Sequence, residues 1–314
     1  MKTILNPLPM VLASDEAFAM PLATTLRSVV EANPKFWPLE FYILEDGFRE
    51  ETKKKVLNSL PEGSARLHWT PVEMSLFAGF SGGYELDLTK ITYARLLIPR
   101  IVPASVSKLL YLDADLLVLK DLRSLWETDL GGAVIGAVSD FYLHSSHLAE
   151  GRDPRLERNS HPLYKGLPDV KDYFNSGVLL IDLDKWRKEG ISEKALDYLN
   201  RFPHSPHMDQ DALNFACDGR WKKLDPQWNA QDHRQRPIGR TGTGIVHFVT
   251  RWKPWLADTR NLNAELYDSF RIRTRFARTP LEKLRDRFVR FTTGIRNVVK
   301  RGGFRKRRAS AALA

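Results

Sequence analysis

Short runs of apolar, β-branched or aromatic residues punctuate the first half of the chain: MVLA (10–13), LEFYIL (39–44), RLHWTPV (66–72), KLLYLD (108–113) and AVIGAV (133–138). Their length and composition predict strands. Between them, LATTLRSVVEA (22–32) and REETKKKVLNSL (49–60) place apolar residues at helical spacing, so the order reads βαβαβ. That alternation predicts a mainly parallel sheet covered by helices, with any ligand at the carboxyl ends of the strands. Farther on, FNSGVLLIDLDKW (174–186) reads as a strand and ISEKALDYLNRF (191–202) as a helix. The polar stretch 139–173, rich in His, Arg and Pro, shows no period, and a loop of that length in a compact domain is usually functional or disordered.

Composition narrows the class. A chain of 314 residues with 43% hydrophobic content has ample material for an α/β core. Charges and prolines interrupt every stretch that approaches the ~18 apolar residues a spanning helix needs, so no membrane crossing is expected. Lys2, the apolar residues after it and Ala17-Phe18-Ala19 imitate a signal peptide, but Pro7 and Pro9 break the apolar segment and Asp15 and Glu16 crowd the supposed cleavage site. A first strand near 9–13 is the better reading. Cys217 is the single cysteine, which fits a reducing compartment such as the cytoplasm.

The net charge of +10 is uneven: from Arg271 to Arg308 fifteen Lys or Arg stand against Glu282 and Asp286, leaving residues 1–270 slightly acidic. A nucleic-acid-binding protein would spread its basic residues over the body, so no nucleic-acid partner is expected. The division expected is a globular domain over 1–270 and a basic tail over 271–314.

The candidate chemistry begins at YLDADLLVLKDLRSLWETDLGG (111–132), where Asp113 and Asp115 follow an apolar run. Two adjacent carboxylates repel unless a cation lies between them or one is protonated. In extended backbone, residues two apart share a side, so both can face one point, and oxygen ligands of this kind suit Mg²⁺ or Mn²⁺. From these residues alone, the start of a turn is the commoner explanation of such a pair.

Six stretches in order, LASDEAF (12–18), ITYARL (91–96), YLDADLLVLKDLRSLWETDLGG (111–132), YFNSGVLLIDLDKW (173–186), MDQDALN (208–214) and VHFVTRWKPW (246–255), give the chain its likeness to a known family. It resembles the family 8 glycosyltransferases, and within them the bacterial lipooligosaccharide galactosyltransferases. The resemblance implies a GT-A type nucleotide-sugar-binding α/β fold and a retaining transfer. It implies metal ligation by Asp113, Asp115 and His247, with Mn²⁺ favoured by the imidazole and Mg²⁺ as a substitute. It further implies donor contacts from Asp15, Phe18, Arg95, Ala114, Thr250 and Lys253, Phe18 stacking on the base and Lys253 adding charge at the phosphates. Asn175, Asp209 and Gln210 fall at the reacting sugar, Gln210 nearest the reacting carbon. We expect front-face transfer through a short-lived oxocarbenium-like state, with Asp209 the candidate nucleophile for a covalent route. Asp140 matches an acceptor-contacting position, and the 139–173 loop is expected to build the rest of that pocket.

Each residue also has a plainer reading: His247 as a structural histidine, Lys253 and Arg95 as surface cations, Asn175 as a turn residue, Asp209 or Asp211 as a helix cap. The chain departs from the family at Ala17, where an asparagine is usual, and at Thr250, where a glycine lets backbone approach the phosphates.

The expected activity is Mn²⁺-dependent, retaining transfer of galactose or glucose from a UDP-hexose to a saccharide acceptor, a lipopolysaccharide or lipooligosaccharide core by preference. The alternatives are a glucosyltransferase acting on a glucan or protein, and a non-catalytic UDP-sugar-binding relative. In the tail, Thr279-Pro280-Leu281-Glu282 has a helix-start signature, and Leu281, Leu284, Phe288, Phe291, Ile295 and Val298 recur on one face. With the basic run 300–308 this predicts peripheral attachment to an anionic membrane at the cytoplasmic face, where a lipid-linked acceptor would be presented. Packing of that face on the protein's own body is the alternative.

Overall fold

The computed structural model describes residues 8–80, 89–140, 172–232, 242–257, 259, 261–289 and 292. Most of the expected acceptor loop and the end of the tail lie outside them. Ten strands are described: β1 (Pro9–Asp15), β2 (Leu39–Asp46), β3 (Ala65–Pro71), β4 (Lys108–Leu112), β5 (Leu116–Val118), β6 (Ile135–Ser139), β7 (Phe174–Asp182), β8 (Trp221–Lys223), β9 (Ala230–Gln231) and β10 (Ile245–His247).

Seven of them form one sheet in the order β3-β2-β1-β4-β7-β6-β8. The pairs β3–β2, β2–β1, β1–β4 and β6–β8 are parallel, as the alternation predicts. β7 runs antiparallel to both β4 and β6. Its direction is invisible to hydrophobic pattern, which reports burial rather than polarity of the chain. A second, three-stranded sheet, β5-β10-β9, was not expected, because strands of two or three residues leave no period to read.

Both faces of the sheet's central strands are covered, so β1, β4 and β7 alternate between two cores, whereas the edge strand β3 alternates between core and water. On β1, Met10 and Leu12 join Leu22, Leu26 and Val29 of helix α1 (Ala19–Ala32), whereas Val11 packs with Tyr111, Ala212 and Leu213 on the other side. The run 174–186 is not one strand. The Asp182 side chain accepts from the Lys185 N–H at 3.0 Å and caps a helix, Leu183–Glu189, which Gly190 closes in the left-handed conformation.

The chain after 270 first returns to the body. Arg275 N–H donates to Ser59 Oγ (3.0 Å), and Lys55 lies over the Phe276 ring beside helix α2 (Glu50–Leu57). Arg278 then pairs with Asp268 and, at 2.9 Å, with Asp286. A helix over 280–289 begins with a reciprocal cap: Thr279 N–H donates to Glu282 Oε2 (2.8 Å) and Glu282 N–H to Thr279 Oγ1 (3.2 Å). Leu281, Leu284 and Phe288 on this helix are 75%, 63% and 66% exposed, so their side chains do not pack on the body. Phe291, Ile295, Val298 and the basic run 300–308 lie outside the described residues. Among the described residues no helix is long and apolar enough to cross a membrane.

Candidate active site

The site forms where β4 leaves the sheet. Between β4 and β5 the chain bends at Ala114 and Asp115, with the Thr25 hydroxyl of α1 lying 2.8 Å from the carbonyls of both Ala114 and Leu116. The extended geometry expected for Asp113 and Asp115 is therefore replaced by a bend, yet their carboxylates still converge. Antiparallel pairing of β10 with β5 sets His247 opposite Leu116. His247 Nε2 then lies 3.6 Å from Asp113 Oδ2 and 3.3 Å from Asp115 Oδ1.

One donor atom from each of Asp113, Asp115 and His247 falls within 4.8 Å of the others. β7 passes directly behind them, and a Cβ on Gly177 would intrude to 2.1 Å from His247 Cε1. Two carboxylates, one imidazole and a backbone stripped of its side chain fit a divalent cation of intermediate hardness.

The protein's own cations answer the repulsion between the aspartates. Asp113 Oδ1 accepts from Arg95 Nη2 and from the Tyr111 hydroxyl, each at 2.9 Å, while Lys253 Nζ donates to Asp115 Oδ2 at 2.7 Å. Burial alone would raise the Asp115 pKa, but Lys253 and His247 outweigh it and hold the carboxyl well below its ordinary value. Burial pushes His247 the other way, and the attraction of Asp115 and Asp113 overcomes it, raising the imidazole pKa.

Arg95 is not a surface cation. Buried to 3% exposure, it donates through Nη1 to Ser176 O (2.7 Å) and stacks its guanidinium over Tyr111, 4.5 Å from the ring centre. Its Nε–H points at Thr92 O, so the 2.8 Å approach to Asp209 Oδ2 is ionic rather than hydrogen-bonded. Arg95 thus ties the metal-side Asp113 to Asp209. Burial raises the Asp209 pKa from 3.8 to about 6 despite that arginine. Asp209 and Gln210 open the helix Met208–Ala216, whose first residue holds φ at 54°, an uncommon conformation for a non-glycine residue that clusters at functional sites. Asp211 takes a capping role instead, accepting from His207 N–H (2.9 Å) and Ser205 Oγ (2.6 Å).

A second chain of contacts runs around the site. Gln210 Oε1 accepts from Ser176 N–H (3.0 Å), and Gln210 Nε2 donates to Asp140 Oδ2 (3.2 Å). Asn175 Nδ2 donates to the same Asp140 oxygen (3.1 Å). Asn229 Nδ2 donates to Asn175 Oδ1 (2.8 Å), and Asn229 Oδ1 sits 3.0 Å from His247 Nδ1. Asp113, Asp115, His247, Arg95, Lys253, Asn175, Asp209, Gln210 and Asp140 are thereby one connected network.

The remaining expected donor contacts lie at its edge. Asp15 accepts from Phe18 N–H (3.0 Å), and Phe18 meets Trp255 edge to face, with centroids 5.7 Å apart. Lys253 lies 6.0 Å from the Trp255 ring, which joins this corner to the aspartates. Thr250 approaches the buried Asp232, which also accepts from Asn261 Nδ2. Sequence reading missed Gly177, Asn229, Tyr111 and Asp232. Gly177 stood inside the FNSG stretch already singled out; Asn229, in DPQWNAQ, carried no signal of its own.

The mostly parallel sheet, with two aspartates and a histidine gathered at a strand end, belongs to a glycosyltransferase, as comparison with known families shows. The model for Glycosyl transferase family 8 matches residues 9–259, and the chain belongs to that family. It is 27% identical to General stress protein A of Bacillus subtilis, over 79% of this chain and 87% of that one. Lipopolysaccharide 1,3-galactosyltransferase of Salmonella typhimurium is 28% identical, over 77% of this chain and 71% of the relative. Among solved structures, galactosyltransferase LgtC in complex with donor and acceptor sugar analogs superposes with a TM-score of 0.71 at 27% identity, covering 89% of this chain and all of that one.

Proposed function

We propose that the chain transfers galactose or glucose from a UDP-sugar to a saccharide acceptor with retention of configuration. The observation that carries this reading is the convergence of Asp113, Asp115 and His247 beside Asp209 and Gln210. Mn²⁺, with Mg²⁺ as a weaker substitute, would be held by those three ligands and would offset the charge that builds on the leaving diphosphate.

The chain's own residues divide the rest. Phe18 and Asp15 flank the base, and Lys253 reaches the phosphates by exchanging its contact with Asp115. Arg95 works from below, fixing Asp113 and Asp209 rather than touching sugar directly. Asp209 and Gln210 face the reacting carbon. The Gln210 amide is too weak a nucleophile to attack, so it stabilises the positive charge of a front-face, oxocarbenium-like transition state. Asn175 stands with Asp209 and Gln210 at the reacting sugar, and Asp140 binds hydroxyls on the acceptor side.

The likeness to galactosyltransferases of lipopolysaccharide supports a lipid-linked core saccharide as acceptor. The exposed Leu281, Leu284 and Phe288, followed by the basic run 300–308, support peripheral attachment at the cytoplasmic face of a membrane that presents it.

The deciding experiment screens UDP-galactose and UDP-glucose for Mn²⁺-dependent transfer to lactose-type and heptose-type acceptors, with the anomeric configuration of product read by NMR. Retained configuration and strict metal dependence are expected. An inverted product, or a glycosyl adduct trapped on Asp209, would overturn the front-face route.

A further inference from the structure

We infer that Asn229 is a positioning residue: it holds a proton of His247 on Nδ1 and so leaves Nε2 as the nitrogen that faces Asp113 and Asp115 and can ligate. The polarity follows from two groups whose hydrogen-bonding sense cannot reverse. The Asp140 carboxylate only accepts, and the Gly177 backbone N–H only donates. Asn175 lies between them, with Nδ2 3.1 Å from Asp140 Oδ2 and Oδ1 3.1 Å from Gly177 N. Its amide is therefore locked in one orientation. Asn229 can approach Asn175 Oδ1 only with its own Nδ2, at 2.8 Å, which turns Asn229 Oδ1 toward His247. That oxygen has no proton to give, so the 3.0 Å contact is made by Nδ1–H of the imidazole.

All the side chains in this relay are buried: Asp140 at 6% exposure, Asn175 at 7%, Asn229 at 1% and His247 at 4%. Water is poorly placed to supply an alternative partner, and an unpaired buried amide would be costly. Asn229 also stands on a short helix, Pro226–Asn229, started by Asp225 accepting from Gln227 N–H, so its backbone is held independently of the histidine. A histidine ligand whose other nitrogen is bound in this manner has its ring orientation set before any ion arrives. The relay also joins acceptor-side Asp140 to His247 of the ligand set through two side chains, Asn175 and Asn229.

This inference rests on the reading of His247 as a metal ligand, and the test separates the two. Full-length protein labelled with ¹⁵N-histidine is observed by NMR in the metal-free state, and Mn²⁺ affinity is measured by electron paramagnetic resonance for wild type, Asn229→Ala and Asn229→Asp. The wild type should show a His247 Nδ1–H resonance protected from solvent exchange. Asn229→Ala should lose that protection and bind Mn²⁺ about 10–100-fold more weakly. Asn229→Asp keeps an acceptor toward His247 but gives up the donor to Asn175 Oδ1, so it should retain the Nδ1–H signal and lose less Mn²⁺ affinity than Asn229→Ala. In a His247→Ala background, Asn229→Ala should change affinity little further, because its effect passes through the histidine.

A wild type that takes up no Mn²⁺ would overturn the metal reading of the three ligands. Normal uptake with an unprotonated Nδ1, with wild-type affinity in Asn229→Ala, or with equal losses in both His247 backgrounds would overturn the assignment of Asn229 alone. If Asn229→Ala does not fold, the wild-type spectrum and the Asp variant decide.

Discussion

A Cβ placed on Gly177 would lie 2.1 Å from Cε1 of His247, so the imidazole and the strand behind it share a space that only glycine leaves open. The same Cβ would stand 2.7 Å from Asp113 Oδ2. Gly177→Ala should push His247 off its position and lower Mn²⁺-dependent turnover on the order of 10²-fold, several kcal/mol of lost metal assistance. Titration of Mn²⁺ into the variant at unchanged thermal unfolding midpoint is the check; wild-type affinity would show that the ring has slack.

Lys253 and the metal make opposite demands on Asp115. Replacing Lys253 by Ala removes the cation that sits 2.7 Å from Asp115 Oδ2, so Mn²⁺ alone should bind more tightly while the KM for UDP-sugar rises. Calorimetry on the metal and steady-state kinetics on the donor separate the two effects. A variant weakened in both would place Lys253 among the supports of the aspartate loop.

Binding of metal should depend on pH through His247. Its folded-state pKa is raised above 6.5, burial being outweighed by Asp115 and Asp113, so the imidazolium must shed its Nε2 proton before that nitrogen can ligate. Mn²⁺ affinity should therefore fall as pH drops through this raised pKa, with net proton release detectable as a buffer-dependent heat. His247→Ala should abolish that component.

Asp209 sets a separate limit. With its pKa raised by burial to about 6, the carboxylate is lost below that pH, and kcat/KM should decline on the acid side with an apparent midpoint near it. The sign for stability is opposite to that of an ordinary salt-bridged aspartate. The folded chain holds this proton more tightly than the unfolded chain, so Asp209 makes folding less favourable as pH rises from about 4 to 6. Asp209→Asn should flatten both the acid limb and that stability slope.

Leu281, Leu284 and Phe288 form an apolar face on an exterior helix turn, and changing all three to Glu should leave the unfolding midpoint within a degree or two, since nothing of the body is unpacked. Sedimentation with anionic vesicles should be abolished and donor hydrolysis spared. Loss of stability instead would show that the face has an intramolecular partner. Cutting at 271, by contrast, would strip Arg275 and Arg278 from the body, so truncation is the poorer test.

What could be read in advance followed the physics of each signal. Strands β1 to β4 and β6, and the helices between them, are long enough for apolar periodicity to show, and Asp113 and Asp115 stand out because adjacent charges after an apolar run need an explanation. The antiparallel course of β7 and the small sheet of β5, β9 and β10 were hidden, since direction and two-residue pairings leave no periodic trace. Arg95 reads as an exposed helical arginine until the fold buries it between Asp113 and Asp209. Asn229 was hidden for a different reason: an asparagine acquires meaning only from the two side chains that orient it, and both are remote in the chain.

The ligand set also fixes when the site comes into being. Asp113 and Asp115 leave the ribosome early, but His247 follows more than a hundred residues later and is placed by the pairing of β10 with β5. Closing so long a loop is entropically slow and depends on the sheet already standing. A nascent or proteolytically shortened chain that ends before β10 can build the large sheet and pair Asp113 with Arg95, yet it lacks His247 and also Lys253, the partner of Asp115. A site with all three candidate ligands is thus complete only once synthesis has passed β10.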